Sequence, residues 1–110
     1  MKNILITGCS RGIGFETVKA FAKNNTLNIF AISRDKVGLN KLRKECFKIN
    51  NKFNVYTLAL DVTDLDASNQ IINLIQTKSD GVIDGIIHNA GFLVKKSFTD
   101  IEINDLETSF

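Results

Sequence analysis

The residues best suited to chemistry lie near the start of the chain. Thr7-Gly8-Cys9-Ser10-Arg11-Gly12-Ile13-Gly14 places three glycines at the spacing Gly-x-x-x-Gly-x-Gly. Gly8 permits a sharp exit from a preceding strand, where a Cβ would clash. Gly12 lets a pyrophosphate approach the backbone, and Gly14 lets the following helix sit close to a sheet. The N–H groups at that helix start then face the phosphates. Ser10 and Arg11 add a hydroxyl and a positive charge at the same mouth, and Ile13 stands between the last two glycines. The stretch lacks Gly-Lys-Ser/Thr, which excludes a nucleoside triphosphatase loop. Other candidate groups are less clearly placed. Cys9 and Cys46 lack metal-site spacing and are too few for a disulfide framework. A position near a helix N-terminus would favour a lowered thiol pKa for Cys9, although a filler role in the loop suits it better. His88, the sole histidine, has no nucleophile or metal partner near it in sequence and reads as a strand-end residue. Ile6-Thr7-Gly8-Cys9 imitates a lipoprotein cleavage site, but the apolar stretch before it, Ile4 to Ile6, is too short.

Two kinds of segment alternate along the chain and must position these groups. Asn3–Thr7, Leu27–Ser33, Asn54–Leu60 and Gly85–His88 are short, nearly continuous apolar runs, as expected of parallel strands buried on both faces. Between them lie polar segments with helical spacing. Phe15, Val18 and Ala22 mark one face, and Leu39, Leu42, Cys46 and Ile49 a second. Ile71, Leu74, Ile75 and Lys78 mark a third, and Ile103, Leu106 and Phe110 begin a fourth. The order β-α-β-α-β-α-β-α predicts an open parallel sheet with helices on both sides. The fourth pattern reaches Phe110 without a stop signal, so the chain is expected to be the N-terminal part of a longer domain, cut in its fourth helix.

Composition narrows the classes. The 110 residues are 44% hydrophobic and 24% charged with a net charge of +2, which fits one ordered domain. No apolar run approaches the roughly 18 residues of a membrane span. Free thiols without a signal peptide point to the cytoplasm. Residues 1–52 hold 11 basic and 3 acidic side chains, whereas residues 53–110 hold 3 basic and 9 acidic. This asymmetry puts an electropositive half around the glycine loop. An RNA-binding reading of that half lacks interleaved exposed aromatics, because the Phe residues fall mainly on core-facing positions.

Three motifs together resemble the N-terminal half of a short-chain dehydrogenase/reductase. Thr7-Gly8-x-x-x-Gly12-Ile13-Gly14 matches that family's cofactor loop. Asp61-Val62-Thr63, after the third strand, matches its Asp at the adenine ring. Asn89-Ala90-Gly91, after the fourth strand, matches its Asn-Asn-Ala-Gly motif, with His88 in place of the first Asn. The resemblance covers essentially the whole chain. It implies a Rossmann-like fold and a dinucleotide cofactor. Asp61 would accept from the adenine amino group and Val62 would offer its backbone. Asn89, Ala90 and Gly91 would line the nicotinamide-side ribose, with Asn89 also suited to tying strands together. An NAD site usually carries an acid at the end of the second strand. Aligned on the family, Ser33 takes that position and Arg34 follows it. A hydroxyl can donate to a 2′-phosphate and a guanidinium can bind it. NADP(H) is therefore expected over NAD(H), with Arg11 within reach of the same phosphate. Asp35 is the dissenting acid, and its alternative role is to cap the helix beginning near Lys36.

The family's catalytic Tyr, its Lys four residues later, its Ser and its helix Asn have no counterpart in residues 1–110. Tyr56, the only tyrosine, lies inside the third strand with Leu60 four residues on. No catalytic residue is assigned. The resemblance implies an oxidoreductase moving a hydride between nicotinamide and a small carbonyl or alcohol substrate, and a homo-oligomer at full length. The rival expectation is a natural short form that binds a dinucleotide without catalysis, as a sensor or interaction protein.

Overall fold

A computed structural model describes residues 1–23, 26–61 and 63–88. Four parallel strands, β1 (Lys2–Thr7), β2 (Leu27–Ser33), β3 (Asn54–Ala59) and β4 (Gly85–His88), form one sheet in the order β3-β2-β1-β4. Three helices connect them: α1 (Gly12–Phe21), α2 (Lys36–Ile49) and α3 (Ala67–Lys78). The arrangement is a Rossmann-like α/β fold. The expected fourth helix, with Ile103, Leu106 and Phe110, lies outside the described residues. No helix among the described residues is long and apolar enough to cross a membrane.

Strand alternation divides the core between the two sheet faces. Ile6, Ile29 and Ala31 pack with Phe15 and Val18 of α1 and Leu39, Leu42 and Cys46 of α2. Leu5, Phe30, Ile32 and Ile86 pack with Ile71 and Ile75 of α3. β2 lies between two strands and under helices on both faces, so its five central residues are all buried. This is why its sequence reads as a continuous apolar run. Tyr56 stacks on Phe30 with ring centroids 5.2 Å apart, and so belongs to the α3-side core.

Three expectations need adjustment. Ile49 is 40% exposed. It is the last residue of α2 and, at 3.6 residues per turn, points about 80° away from Leu39. Lys78 ends α3 and is exposed. Phe47 is 66% exposed and departs from the core-facing pattern of Phe15, Phe30 and Phe53.

The N-terminal end of the sheet carries a polar layer that the apolar pattern does not reveal. Asn3, Asn28 and Asn54 are register partners at the starts of β1, β2 and β3. Asn28 Nδ2 donates to Asn3 Oδ1 at 2.9 Å, and Asn54 Nδ2 donates to Asn28 Oδ1 at 3.1 Å. Asn3 Nδ2 donates to Asp80 Oδ1 and to the Val82 carbonyl, and Asn3 N–H donates to Asp84 Oδ2. The ladder thus ties the loop between α3 and β4 to the sheet. Asn3 and Asn28 are buried, as only hydrogen-bonded amides can be without a large penalty.

Candidate functional site

At the opposite end of the sheet, the loop after β1 is held from below. Gly8 N–H donates to the Ile32 carbonyl at 3.0 Å. The Cys9 thiol, fully buried, lies 3.7 Å from the Ile6 carbonyl and 3.6 Å from the Ile32 carbonyl. Burial pushes this thiol up to about 12, which makes it a packing group rather than a reactive one. Cys46, also buried, is pushed up to about 11 for the same reason. The filler reading of Cys9 is the one the geometry supports.

Two of the loop glycines require their residue type. Gly8 has φ 63° and Gly12 has φ 66°, both in the left-handed region. A Cβ at Gly12 would meet nothing within 4 Å, so the backbone there borders open space. Gly14 is buried in the first turn of α1. Arg11 is the N-cap of α1, and its side chain makes no capping hydrogen bond there. The first-turn N–H groups therefore have no intrahelical partner and point out of the helix. Ile13 is 81% exposed beside them.

The end of β2 supplies the other wall. Ser33 Oγ accepts from the Asp35 N–H at 3.3 Å, which leaves the hydroxyl proton available for another acceptor. Asp35 caps α2 as expected, its Oδ1 accepting from Gly38 N–H at 3.0 Å. One position escapes the reading of the sequence. A Cβ on Gly38 would lie 2.7 Å from both Ser10 Cβ and the Ser10 carbonyl oxygen. Gly38 thereby lets the start of α2 press directly against the glycine loop. The signal it leaves in the sequence is an isolated glycine early in a helical pattern.

Asp61 follows β3, beside the end of β2. Leu60 N–H donates to the Ser33 carbonyl at 2.9 Å and so joins the two strand ends. Asp61 Oδ1 accepts from the Thr63 hydroxyl at 2.7 Å and from Thr63 N–H at 2.9 Å. These bonds, with a smaller pull from Arg34, hold the Asp61 carboxyl below its usual range. Its other oxygen, Oδ2, faces Arg34 Nη1 at 3.9 Å.

These groups surround one open cleft of about 960 Å³. Its walls include Gly8, Ser10, Arg11, Gly12, Ile13 and Gly14 from the loop, Ser33, Arg34 and Asp35 from the end of β2, and Asp61 and Thr63 from the end of β3. The structure thus brings together nine of the thirteen residues expected at a cofactor site. The other four, Val62, Asn89, Ala90 and Gly91, lie outside the described residues. His88 ends β4, as its strand-end reading requires. The cleft lies beyond the carboxyl ends of the strands. The chain runs from β1 to β2 on one side, and β4 flanks β1 on the other, so β1 borders the point where strand order reverses. Open α/β sheets bind ligands at such points.

Comparison with known proteins agrees with this architecture. Residues 2–110 match the family model described as short chain dehydrogenase. The chain belongs to that family. It is 35% identical to benzil reductase ((S)-benzoin forming) IRC24 of Saccharomyces cerevisiae over 115 residues, covering 99% of this chain and 42% of that protein. Levodione reductase superposes with a TM-score of 0.73 at 23% identity, over 98% of this chain and 43% of its own. An alcohol dehydrogenase from the archaeon Thermococcus sibiricus, complexed with 5-hydroxy-NADP, gives 0.66 at 26% identity, over 78% of this chain and 35% of its own. The chain thus spans well under half the length of these relatives.

Proposed function

We propose that residues 1–110 are the N-terminal, cofactor-binding part of one NAD(P)-binding Rossmann domain, within an NADP(H)-dependent oxidoreductase. The reaction transfers a hydride between nicotinamide and a small carbonyl or alcohol substrate. The observation that carries this reading is the shared cleft, in which an uncapped helix start and the Ser33–Arg34 pair face the same space.

The residues fit a 2′-phosphorylated dinucleotide. Gly8, Ser10, Arg11, Gly12, Ile13 and Gly14 would surround the pyrophosphate, where backbone N–H groups and the helix dipole favour negative charge. Ser33 has a hydroxyl proton to donate, and Arg34 is 79% exposed at the cleft mouth. Both suit a 2′-phosphate. The Asp35 carboxylate is engaged with the start of α2, which accounts for an acid here without an NAD preference. Asp61 and Val62 would hold adenine, and Asn89, Ala90 and Gly91 the nicotinamide-side ribose. The bound nicotinamide supplies or accepts the hydride. The similarity to a benzil reductase and to an alcohol dehydrogenase complexed with 5-hydroxy-NADP supports this chemistry. Two free cysteines support the reducing environment of the cytoplasm.

Titration of the complete protein with NADPH and NADH, followed by nicotinamide fluorescence, tests the reading. NADPH should bind more tightly. Arg34→Ala should weaken NADPH by about 10- to 100-fold, the loss expected for a charged hydrogen bond, and leave NADH unchanged. Equal affinity for the two cofactors in the unaltered protein at moderate salt would refute it.

A further inference from the structure

The Arg34–Asp61 pair has a consequence that neither residue has alone. Both side chains are substantially exposed, so the pair contributes little to folding. It nevertheless sits at the cleft, and the sheet sets the backbone positions that carry it. The Leu60-to-Ser33 hydrogen bond joins the two strand ends that carry it. Two bonds from Thr63 hold the Asp61 carboxylate by Oδ1 and leave Oδ2 turned toward the guanidinium. Arg34 therefore meets any incoming phosphate with a fixed counter-ion 3.9 Å away.

We propose that Asp61 is a specificity-determining residue: its carboxylate competes with the cofactor's 2′-phosphate for Arg34 and thereby limits the preference for NADP(H) over NAD(H). This rests on the NADP(H) reading above. A 2′-phosphate docked on Arg34 draws on the guanidinium that Asp61 Oδ2 already faces, so binding it means giving up or sharing that ion pair. NAD(H) carries no charge at that position and feels no such competition. The other charged groups at the cleft act differently. Arg11 stands at the helix start, and the Asp35 carboxylate is tied to Gly38 N–H. Interactions with the pyrophosphate and adenine are common to both cofactors and cancel in the ratio of their affinities.

The test is that ratio, measured by fluorescence titration on the complete protein. Asp61→Asn keeps an oxygen for the adenine amino group and removes the charge. The NADPH-to-NADH affinity ratio should rise about two- to fivefold at about 0.1 M salt, as expected for release of one exposed ion pair. In an Arg34→Ala background the same substitution should leave the ratio unchanged. A ratio that stays constant or falls with Asp61→Asn overturns the proposal. So does a rise that persists without Arg34, because the carboxylate would then act independently of the pair. If the unaltered protein binds NADPH no more tightly than NADH, the cofactor reading itself fails, which is a distinct result.

Discussion

At the N-terminal end of the sheet, Asn3, Asn28 and Asn54 donate to and accept from one another, and Asp80 and Asp84 complete the layer. At the C-terminal end, Ser33 has a hydroxyl proton to donate, Arg34 stands exposed, and α1 begins without a side-chain cap. The same strands carry both sets. The difference lies in where the hydrogen-bonding capacity points. The lower layer is directed at itself and fixes strand register. The upper one is directed at a cleft, so it is oriented toward something other than the chain. Buried amides that satisfy each other rigidify a fold. Oriented donors around open space are what a ligand-binding end requires.

The largest effect that would break this contrast is expected from the lower layer. Asn28→Leu removes the middle of the ladder. Asn3 Oδ1 then loses its donor, and Asn54 Nδ2 its oxygen acceptor, keeping only the Met1 sulfur at 3.7 Å. A buried group left without a partner costs about 1–3 kcal/mol, and Asn54 can turn partly to water, so a loss of about 2–3 kcal/mol is expected. Urea unfolding of the complete protein measures it. Cofactor affinity, measured on the folded variant, should not change. A change in affinity with no loss of stability would mean that the two ends are not separate in function.

Gly38→Ala is the corresponding variant at the upper end, with a smaller effect on stability. Alanine is the better helix former by about 1 kcal/mol. The added Cβ would, however, lie 2.7 Å from the Ser10 backbone and 2.8 Å from the capping Asp35 carboxylate. Overpacking of this kind typically costs about 1–3 kcal/mol, so the net should be a loss of about 1 kcal/mol. The loop must shift to make room, and dinucleotide affinity should fall along with stability. Calorimetric titration beside thermal unfolding separates the two readouts. Unchanged affinity would show that the loop tolerates displacement and that its position is not the critical feature.

The legibility of the two ends differs for physical reasons. The glycine loop is readable because three glycines between an apolar run and a helical pattern suit few structures besides a tight phosphate-facing turn, and Gly8 and Gly12 do adopt positive φ. The parallel sheet follows from β-α alternation. Asp35 is readable as a cap because a short acid before a helical run has a well-defined partner. The asparagine ladder is hidden, although its signal is present: β1, β2 and β3 contain Asn-Ile-Leu, Asn-Ile-Phe and Asn-Val-Tyr, each with Asn at or one residue after the strand start. An apolar pattern ignores polar residues at strand starts, and register is a tertiary property. Gly38 is hidden for a related reason. Its neighbour Ser10 is far away in the chain, and nothing local announces that a helix will press on a distant loop. The Arg34–Asp61 pair likewise depends on β2 and β3 being adjacent in space.

The effect that is absent at neutral pH concerns the thiol beneath the loop. Burial raises the Cys9 pKa from 9.0 to about 12, so the folded state holds this proton more tightly than the unfolded chain. The contribution is fully present below pH 9, where both states are protonated. It is lost as pH rises from 9 toward 12, where the unfolded chain ionises first. At pH 10 the loss attributable to Cys9 is about 1.4 kcal/mol, the value of one pH unit. Cys46 ionises in the same range, so the informative quantity is a difference. The drop in unfolding free energy between pH 7 and pH 10 should be smaller by about that amount in Cys9→Ala than in the unaltered protein. Equal drops would mean that the thiol ionises as readily in the folded state as in the unfolded one. Water would then reach the space under the glycine loop, and the packed support inferred for the upper end of the sheet would not exist.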